Sequence, residues 1–158
     1  MTCSIFSIYT LLVLNMTTQN LIAYAEIKIT ASIKNVWEAL VNPEIIKRYM
    51  FGTTVTSVWK VGSAITWKGE WQGKSYEDKG VISQVRPEKI LQYTHFSPLT
   101  GLPDVPKNYH QVTIELITRG NQTEVMLSQD NNPTVEARNH NEKNWGLMLS
   151  SLKKILEE

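Results

Sequence analysis

Cysteine is almost absent from this chain of 158 residues, in which Cys3 is the single copy. The sequence beyond the N-terminal stretch therefore lacks the thiols that a disulfide, a cysteine nucleophile or a cysteine-ligated zinc site requires. Histidine is scarce as well, and His95, His110 and His140 lack the close spacing of metal ligands. We accordingly expect neither a metal nor another cofactor.

An excess of one charge is also missing, because 16 basic and 15 acidic side chains leave a formal net charge of +1. This balance argues against nucleic acid or an anionic membrane as the main partner. A length of 158 residues suits one domain that buries a core without disulfides or metal. No repeat, low-complexity tract or linker interrupts the chain after Met16.

Charged side chains are absent from Met1–Ala25, and three interpretations compete for this stretch. The first is a transmembrane helix, but the apolar run Ile5–Leu14 is about half the length that such a helix needs. The second is a secretory signal cleaved after Ala25. Such a signal has a basic residue before its apolar run, and none is present here.

The third interpretation places the start of the protein at Met16, with residues 1–15 as an extension outside the fold. It agrees best with Leu21–Thr30, which alternates as a strand does, because cleavage after Ala25 would remove half of that strand. We therefore expect a single domain over residues 16–158 and a cytoplasmic location.

Hydrophobic periodicity predicts one strand, two short helices, about six further antiparallel strands and one long helix. Ser32 caps the first helix, and Asn42 before Pro43 ends it. The last helix begins near Thr134 and has the clearest amphipathic spacing. This order is that of an α+β domain in which a curved sheet wraps a helix. Six of these strands have bounds that can be given, at Leu21–Thr30, Ile65–Trp71, Tyr76–Val85, Ile90–Phe96, Val112–Leu116 and Thr123–Gln129, and the second helix is expected at Glu44–Tyr49.

Three connecting segments carry further signals. Arg86–Lys89 has proline at its second position, which predicts a type I turn. Ser97–Lys107 holds three prolines and predicts a long surface loop. Gly69–Ser75 superficially resembles a phosphate-binding loop, but it has three residues between its glycines where the motif has four. It also lies in a predicted hairpin, so we do not expect nucleotide binding.

Four segments carry motifs in a fixed order: Ile33–Glu44 with its V-W, A-L and N-P-E residues, Val61–Ser63, Gly80–Glu88 with the pattern of a G-x-V-x-x-V-x-P strand, and Asn144–Glu157. Together they resemble the START-like (SRPBCC) superfamily and, within it, the single-domain relatives of the activator of heat-shock protein 90 ATPase. The similarity covers roughly Asn20 to Glu158. In the last segment, glycine and tryptophan stand in the reverse of the family's order.

This resemblance implies the helix-grip fold of the birch-pollen allergen, in which a curved antiparallel sheet wraps around a long C-terminal helix. Such folds usually enclose an apolar cavity between sheet and helix, which in relatives holds lipids, sterols or polyketides. The resemblance therefore implies either a small hydrophobic ligand or a partner protein. The fold alone does not choose between them.

Aromatic residues at alternating strand positions, together with the apolar face of the last helix, mark a candidate ligand cavity. If these faces point inward, they line a mostly apolar pocket with a few polar groups. Otherwise they fill the core of a strongly curved sheet. The expected lining residues are Trp67, Trp71, Tyr93, His95, Trp145 and Met148.

His95 and Tyr93 are weak catalytic candidates, since His95 beside Tyr93 and Glu115 has the chemistry of a general base. A lone pocket histidine is more often a hydrogen-bonded wall residue, so no catalytic residue is assigned. We expect Trp37 and Trp59 to be packing residues.

The favoured function is a non-enzymatic module that binds a small hydrophobic or aromatic molecule, which includes lipids. One alternative is a co-chaperone-like protein that stimulates a heat-shock protein 90-type ATPase in a stress response. The eukaryotic activators carry a separate N-terminal domain for this purpose, and 158 residues leave no room for one. The other alternative is a cyclase- or hydrolase-like enzyme. We expect no nucleic acid partner, no membrane span, and a monomer or homodimer.

Overall fold

The computed structural model of the chain describes residues 20–158. The expectations for residues 1–15 and for a start at Met16 lie outside this range. Within it, seven strands and three α-helices follow the predicted order. The strands are β1 (Leu21–Ile29), β2 (Thr54–Ser57), β3 (Ala64–Trp71), β4 (Lys74–Arg86), β5 (Ile90–His95), β6 (His110–Arg119) and β7 (Gln122–Asn132), and the helices are α1 (Ile33–Val41), α2 (Pro43–Tyr49) and α3 (Val135–Leu156).

The seven strands form one antiparallel sheet in the order β1-β7-β6-β5-β4-β3-β2. Side chains alternate between its two faces, so that Ile114 and Leu116 of β6 are buried beside Val125 and Leu127 of β7. The sheet curves around α3, and the core lies between its concave face and the helices. This α+β helix-grip architecture confirms the predicted fold class.

The two short helices owe their limits to local capping. The Ser32 hydroxyl accepts a hydrogen bond from the Asn35 N–H at 3.1 Å and begins α1. Asn42 ends α1 and begins α2, because its side-chain oxygen accepts the Glu44 N–H at 3.0 Å while Pro43 occupies the first turn. The predicted boundary at Asn42 is therefore correct to the residue.

Helix α3 lies along β1 and hydrogen-bonds the free backbone edge of that strand. The Tyr24 N–H donates to Glu142 Oε1 at 3.1 Å, and the Thr30 N–H donates to Glu157 Oε1 at 2.7 Å. Between them, Lys153 Nζ donates to the Lys28 carbonyl at 2.7 Å. An edge strand with unpaired backbone groups would invite pairing with another chain. Helix α3 thus covers this edge of the sheet, and it also packs over the concave face.

Two local features differ from the predictions. Strand β2 was not predicted, because its four residues are too few to show a period. The turn at Arg86–Lys89 is closed by the Lys89 N–H donating to the Arg86 carbonyl at 3.0 Å, but Glu88 has φ 64°. A positive φ at the third position belongs to a type II turn, so the type I prediction was wrong.

The predicted surface loop at Ser97–Lys107 is confirmed and contains two short 3-10 turns, Pro98–Thr100 and Pro106–Asn108. Asp104 holds it to the sheet by pairing with Lys79 of β4 and accepting a 2.6 Å hydrogen bond from the Tyr109 hydroxyl. The hydrogen bond from Lys79, together with that from Tyr109, lowers the pKa of Asp104. The loop is therefore attached at its middle as well as at its ends.

Two glycines are expected to respond in opposite ways to the same substitution. A Cβ atom on Gly80 would lie 1.6 Å from the Thr94 carbonyl oxygen, so Gly80→Ala must separate β4 from β5 and should destabilise the fold by more than about 2 kcal/mol. Gly146 lies within α3 with open space around it, so Gly146→Ala should stabilise the protein by about 0.5–1 kcal/mol. Urea unfolding measures both changes. A Gly80→Ala variant as stable as the parent would contradict the close strand approach.

Candidate functional site

An apolar cavity of about 30 Å³ lies between the concave face of the sheet and the helices. Four of the six predicted lining residues border it: Trp67, Tyr93, Trp145 and Met148. The remaining lining residues come from α1, α2, the strands and their connections, and they are Leu40, Ile46, Tyr49, Met50, Val55, Trp59, Ile65, Leu91 and Ile114. The sequence pattern did not identify Trp59 as a lining residue, because it lies in a connection with no period.

The cavity has room for about one or two water molecules, far below the several hundred cubic ångströms of a typical ligand pocket. Most of its wall is buried, but Met50, Trp59 and Trp145 are partly exposed. These three are the lining side chains that also reach solvent, and we call them the rim of the cavity. Enlargement of the cavity therefore requires movement at this rim, where Met50 is unbranched and adaptable.

Trp71 does not line the cavity, and this part of the prediction was wrong. It occupies the last position of β3 and pairs with Lys74 across the turn formed by Gln72 and Gly73. Its side chain is 60% exposed. Alternation places Trp71 on the same strand face as Trp67, but the hairpin extends beyond the part of the sheet that the helices cover.

His95 also lies outside the cavity wall and belongs to a polar cluster on the other side of Trp67. Its ring meets the Trp67 ring edge-on with centroids 5.1 Å apart, and Trp67 in turn lies 5.1 Å from the Tyr93 ring. His95 Nε2 is 2.9 Å from Asp78 Oδ2. Glu115 is exposed and pairs across from Ile90, so the predicted neighbourhood of His95 and Glu115 was wrong.

Asp78 and His110 complete this polar cluster. Asp78 stands opposite Trp67 in the β3–β4 register, and its other oxygen, Oδ1, is buried without a hydrogen-bond partner among the described residues. His110 stands opposite His95, with the two rings stacked at 6.3 Å. We call the set Asp78, His95 and His110 the polar cluster. Sequence reasoning did not select Asp78, because it sits within a charged stretch typical of an exposed strand.

A second network fixes the polar first half of α3. Trp145 Nε1 donates to Gln129 Oε1 at 2.5 Å, and Gln129 is 6% exposed. Asn141 Nδ2 donates to Asn132 Oδ1 at 2.7 Å, and Asn132 Nδ2 donates to the Leu21 carbonyl at 2.9 Å. The bond from Asn141 gives this polar part of α3 a partner on the sheet. The bond to Gln129 holds Trp145 over the cavity.

Two tyrosine hydroxyls reach the buried region. The Tyr49 hydroxyl donates to the Ala39 carbonyl at 2.8 Å, whereas the Tyr93 hydroxyl makes no hydrogen bond to any residue in the range 20–158. Burial raises the pKa of both phenols, so both stay protonated at neutral pH. Tyr93 is therefore an available hydrogen-bonding group in an otherwise apolar wall.

No group of three or more histidine, cysteine, aspartate or glutamate side chains within residues 20–158 is arranged to hold a metal ion. In the same part of the chain, no helix combines the length and the apolar character that crossing a bilayer would need.

Residues 30–157 match the family model described as Activator of Hsp90 ATPase homolog 1-like protein. The chain belongs to this family, which confirms the resemblance drawn from the four sequence segments. A search of curated proteins finds no match.

Solved structures agree with this assignment. A protein from Cytophaga hutchinsonii is 62% identical, with a TM-score of 0.76 over 87% of this chain and 94% of that chain. The Aha1 dimer from Colwellia psychrerythraea is 24% identical, with a TM-score of 0.68 over 86% and 96%. DynU16, a protein in the dynemicin biosynthetic locus, is 15% identical, with a TM-score of 0.72 over 87% and 47%. The latter two show similarity of fold alone.

The polar cluster should make stability depend on pH through His110. Burial lowers the pKa of His110 below its ordinary value of 6.5, outweighing the hydrogen bond to the Asp130 carbonyl, which raises it. As pH falls, the unfolded chain therefore binds the proton before the folded chain does. The contribution of neutral His110 is complete above about pH 6.5 and is lost as pH falls towards the folded pKa.

We expect His110→Gln to reduce the decline in melting temperature between about pH 7 and pH 5. The matched control is His140→Gln, because His140 is exposed on α3 and should leave the decline as it is in the parent. Melting curves at constant ionic strength measure the effect. An identical pH dependence in His110→Gln and the parent would show that His110 does not control it.

Proposed function

We propose that this protein binds a small hydrophobic or aromatic molecule between the concave face of the sheet and α3, without transforming it. The observation that carries this proposal is the apolar cavity, whose wall includes the aromatic rings of Trp59, Trp67, Tyr93 and Trp145. Aromatic walls provide large apolar contact area with few rotatable bonds. The Tyr93 hydroxyl adds a polar group that can orient a ligand.

The small volume of the cavity means that a ligand larger than water enters by moving the rim. Trp145 is held to the sheet through Gln129, and Met148 seals the cavity from the next turn of α3. When an apolar ligand displaces Met148 or Met50, that side chain loses its contact with the aromatic rings. The ligand then buries apolar area against the same rings, which offsets the loss. The proposed binding is therefore an exchange of apolar contacts at the rim.

Substitutions that change the cavity volume should change ligand binding in opposite directions. Met148→Ala enlarges the cavity, should cost about 2–5 kcal/mol of stability, and should increase the affinity for ethylbenzene. Ile114→Phe fills the cavity and should abolish that binding, at a cost of about 1–3 kcal/mol. Chemical-shift changes of the Trp67 and Trp145 indole N–H signals, measured on addition of ethylbenzene, report binding.

Each substitution has a matched control in the same element. Leu147→Ala lies one residue away on the exposed face of α3, and Ile117→Phe lies on the outer face of β6. Both controls should bind ethylbenzene as the parent does. Equal binding by Ile114→Phe and Ile117→Phe would show that the probe does not use this cavity.

Docking on a heat-shock protein 90-type ATPase is a second candidate, supported by the family description and by an exposed apolar surface. Phe51, Val58 and Val61 are 73%, 70% and 66% exposed on either side of β2. If this surface docks on the ATPase, the protein should stimulate ATP hydrolysis and Phe51→Ser should reduce the stimulation. Leu99→Ser, in the exposed loop before β6, is the control. Absence of stimulation by the parent protein would exclude this candidate.

The enzyme alternative has weaker support. Asp78 and His95 form a proton-accepting pair. Among the described residues, however, no serine, threonine or tyrosine hydroxyl is hydrogen-bonded to His95, so a mechanism with a side-chain hydroxyl as nucleophile has no support here. We therefore propose a binding role and assign no catalytic residue.

A further inference from the structure

The polar cluster contains hydrogen-bond acceptors without matching donors. Asp78 Oδ1 is buried and has no partner among the residues that the structure describes. A buried carboxylate oxygen without a donor is costly and calls for a specific explanation. The nearest position on the same strand, Lys79, does not supply one, because its side chain is on the outer face and pairs with Asp104.

The two histidines add acceptors because their existing bonds determine where each neutral ring carries its proton. A carboxylate only accepts, so the bond to Asp78 requires the proton of His95 on Nε2 and leaves Nδ1 as a lone pair. A carbonyl also only accepts, so the 2.8 Å bond to the Asp130 carbonyl requires the proton of His110 on Nδ1 and leaves Nε2 as a lone pair. Neither remaining nitrogen has a donor partner within residues 20–158.

The Asp78 carboxylate favours a cationic ligand, and unpartnered acceptors likewise favour a ligand that donates hydrogen bonds. Asp78 contributes a carboxylate, and among the described residues no lysine or arginine side chain pairs with it, since its one partner of that kind is the His95 ring. The cluster is shielded but accessible, since the side chains of Asp78 and His95 are 14% and 27% exposed. A carboxylate that is largely withdrawn from water attracts a cation more strongly than one on an open surface.

Aromatic rings border the cluster on the side of the cavity. The Trp67 ring contacts His95 and also lines the cavity, and the Tyr93 ring lies 5.1 Å from Trp67. A cation next to such rings gains attraction from their electron-rich faces. An apolar group attached to that cation would lie towards the cavity, because the cavity and the polar cluster adjoin across Trp67.

We infer that the ligand of this protein is a protonated amine with an aromatic or otherwise apolar body, whose ammonium group binds Asp78. This inference rests on the proposed binding function and specifies the chemical class of the ligand. An ammonium group has donors and no acceptor, which is what the buried and unpartnered Asp78 oxygen lacks. An anionic ligand would meet the charge of Asp78 and the two lone pairs with no donor to satisfy them.

The test compares three probes of similar shape on the unmodified protein at pH 7.5: 2-phenylethylamine, ethylbenzene and 3-phenylpropionate. The amine is protonated at this pH, as a lysine side chain is. Isothermal titration and the shifts of the Trp67 and His95 signals measure binding. We expect the amine to bind at least about tenfold more tightly than ethylbenzene, and the carboxylate to bind more weakly than either.

Asp78→Asn should remove the preference for the amine, so that this variant binds the amine and ethylbenzene with similar affinity. The matched control is Glu77→Gln, which neutralises the neighbouring carboxylate on the outer face of β4, where it pairs with Lys68. This control should keep the preference. If Asp78→Asn fails to fold, the comparison of the three probes on the parent protein still decides the matter.

The outcomes separate the two proposals. Equal affinities for the amine and ethylbenzene would overturn the amine inference, show that solvent satisfies the acceptors, and leave the binding function supported. Binding of none of the probes would overturn both. Tighter binding of the amine that persists in Asp78→Asn would place the ammonium elsewhere and would also overturn the inference.

Discussion

The packing of α3 along β1 is the contact on which the rest of the structure depends. Met148, Leu149 and Leu152 of α3 are 6%, 1% and 0% exposed, and each contributes about 1.5–3 kcal/mol by leaving water. Together these three side chains match a large part of the net stability of a typical domain. The bonds from Glu142, Lys153 and Glu157 to the edge of β1 set the position of the helix along the strand.

The two halves of α3 have different surroundings, and this difference shapes the candidate site. The second half is amphipathic and seals the apolar cavity with Met148. The first half is polar and is held by the bond between Asn141 and Asn132 and by Gln129, which orients Trp145. Trp145 is thus placed over an apolar cavity by a polar bond, next to the fully buried Leu149 and Leu152. Beyond Trp67, the concave face becomes polar, and the buried Asp78 oxygen lies there.

Particular residues show how far the sequence predicts the site. Alternation correctly placed Trp67 and Tyr93 on the inner face, and helical spacing correctly placed Trp145 and Met148 towards the sheet. The same alternation failed for Trp71. A two-residue period indicates which face of the sheet a residue occupies, but it does not indicate how far the covering helix extends. His95 was recognised as a pocket candidate, but its partner is Asp78 and not Glu115, since strand register decides which side chains meet. Glu88 adopts a positive φ that no residue preference signals.

The sequence by itself determined the order of the elements, the capping of α1 and α2, the amphipathic face of α3 and the family to which the chain belongs. These properties depend on interactions between residues that are close along the chain or on motifs read in order. The tertiary structure alone decided the volume of the cavity, the exposure of Trp71 and the grouping of Asp78, His95 and His110. Those properties depend on strand register and on the curvature of the sheet, which bring together side chains 15 or more residues apart, such as Asp78 and His95, whose separation is 17 residues.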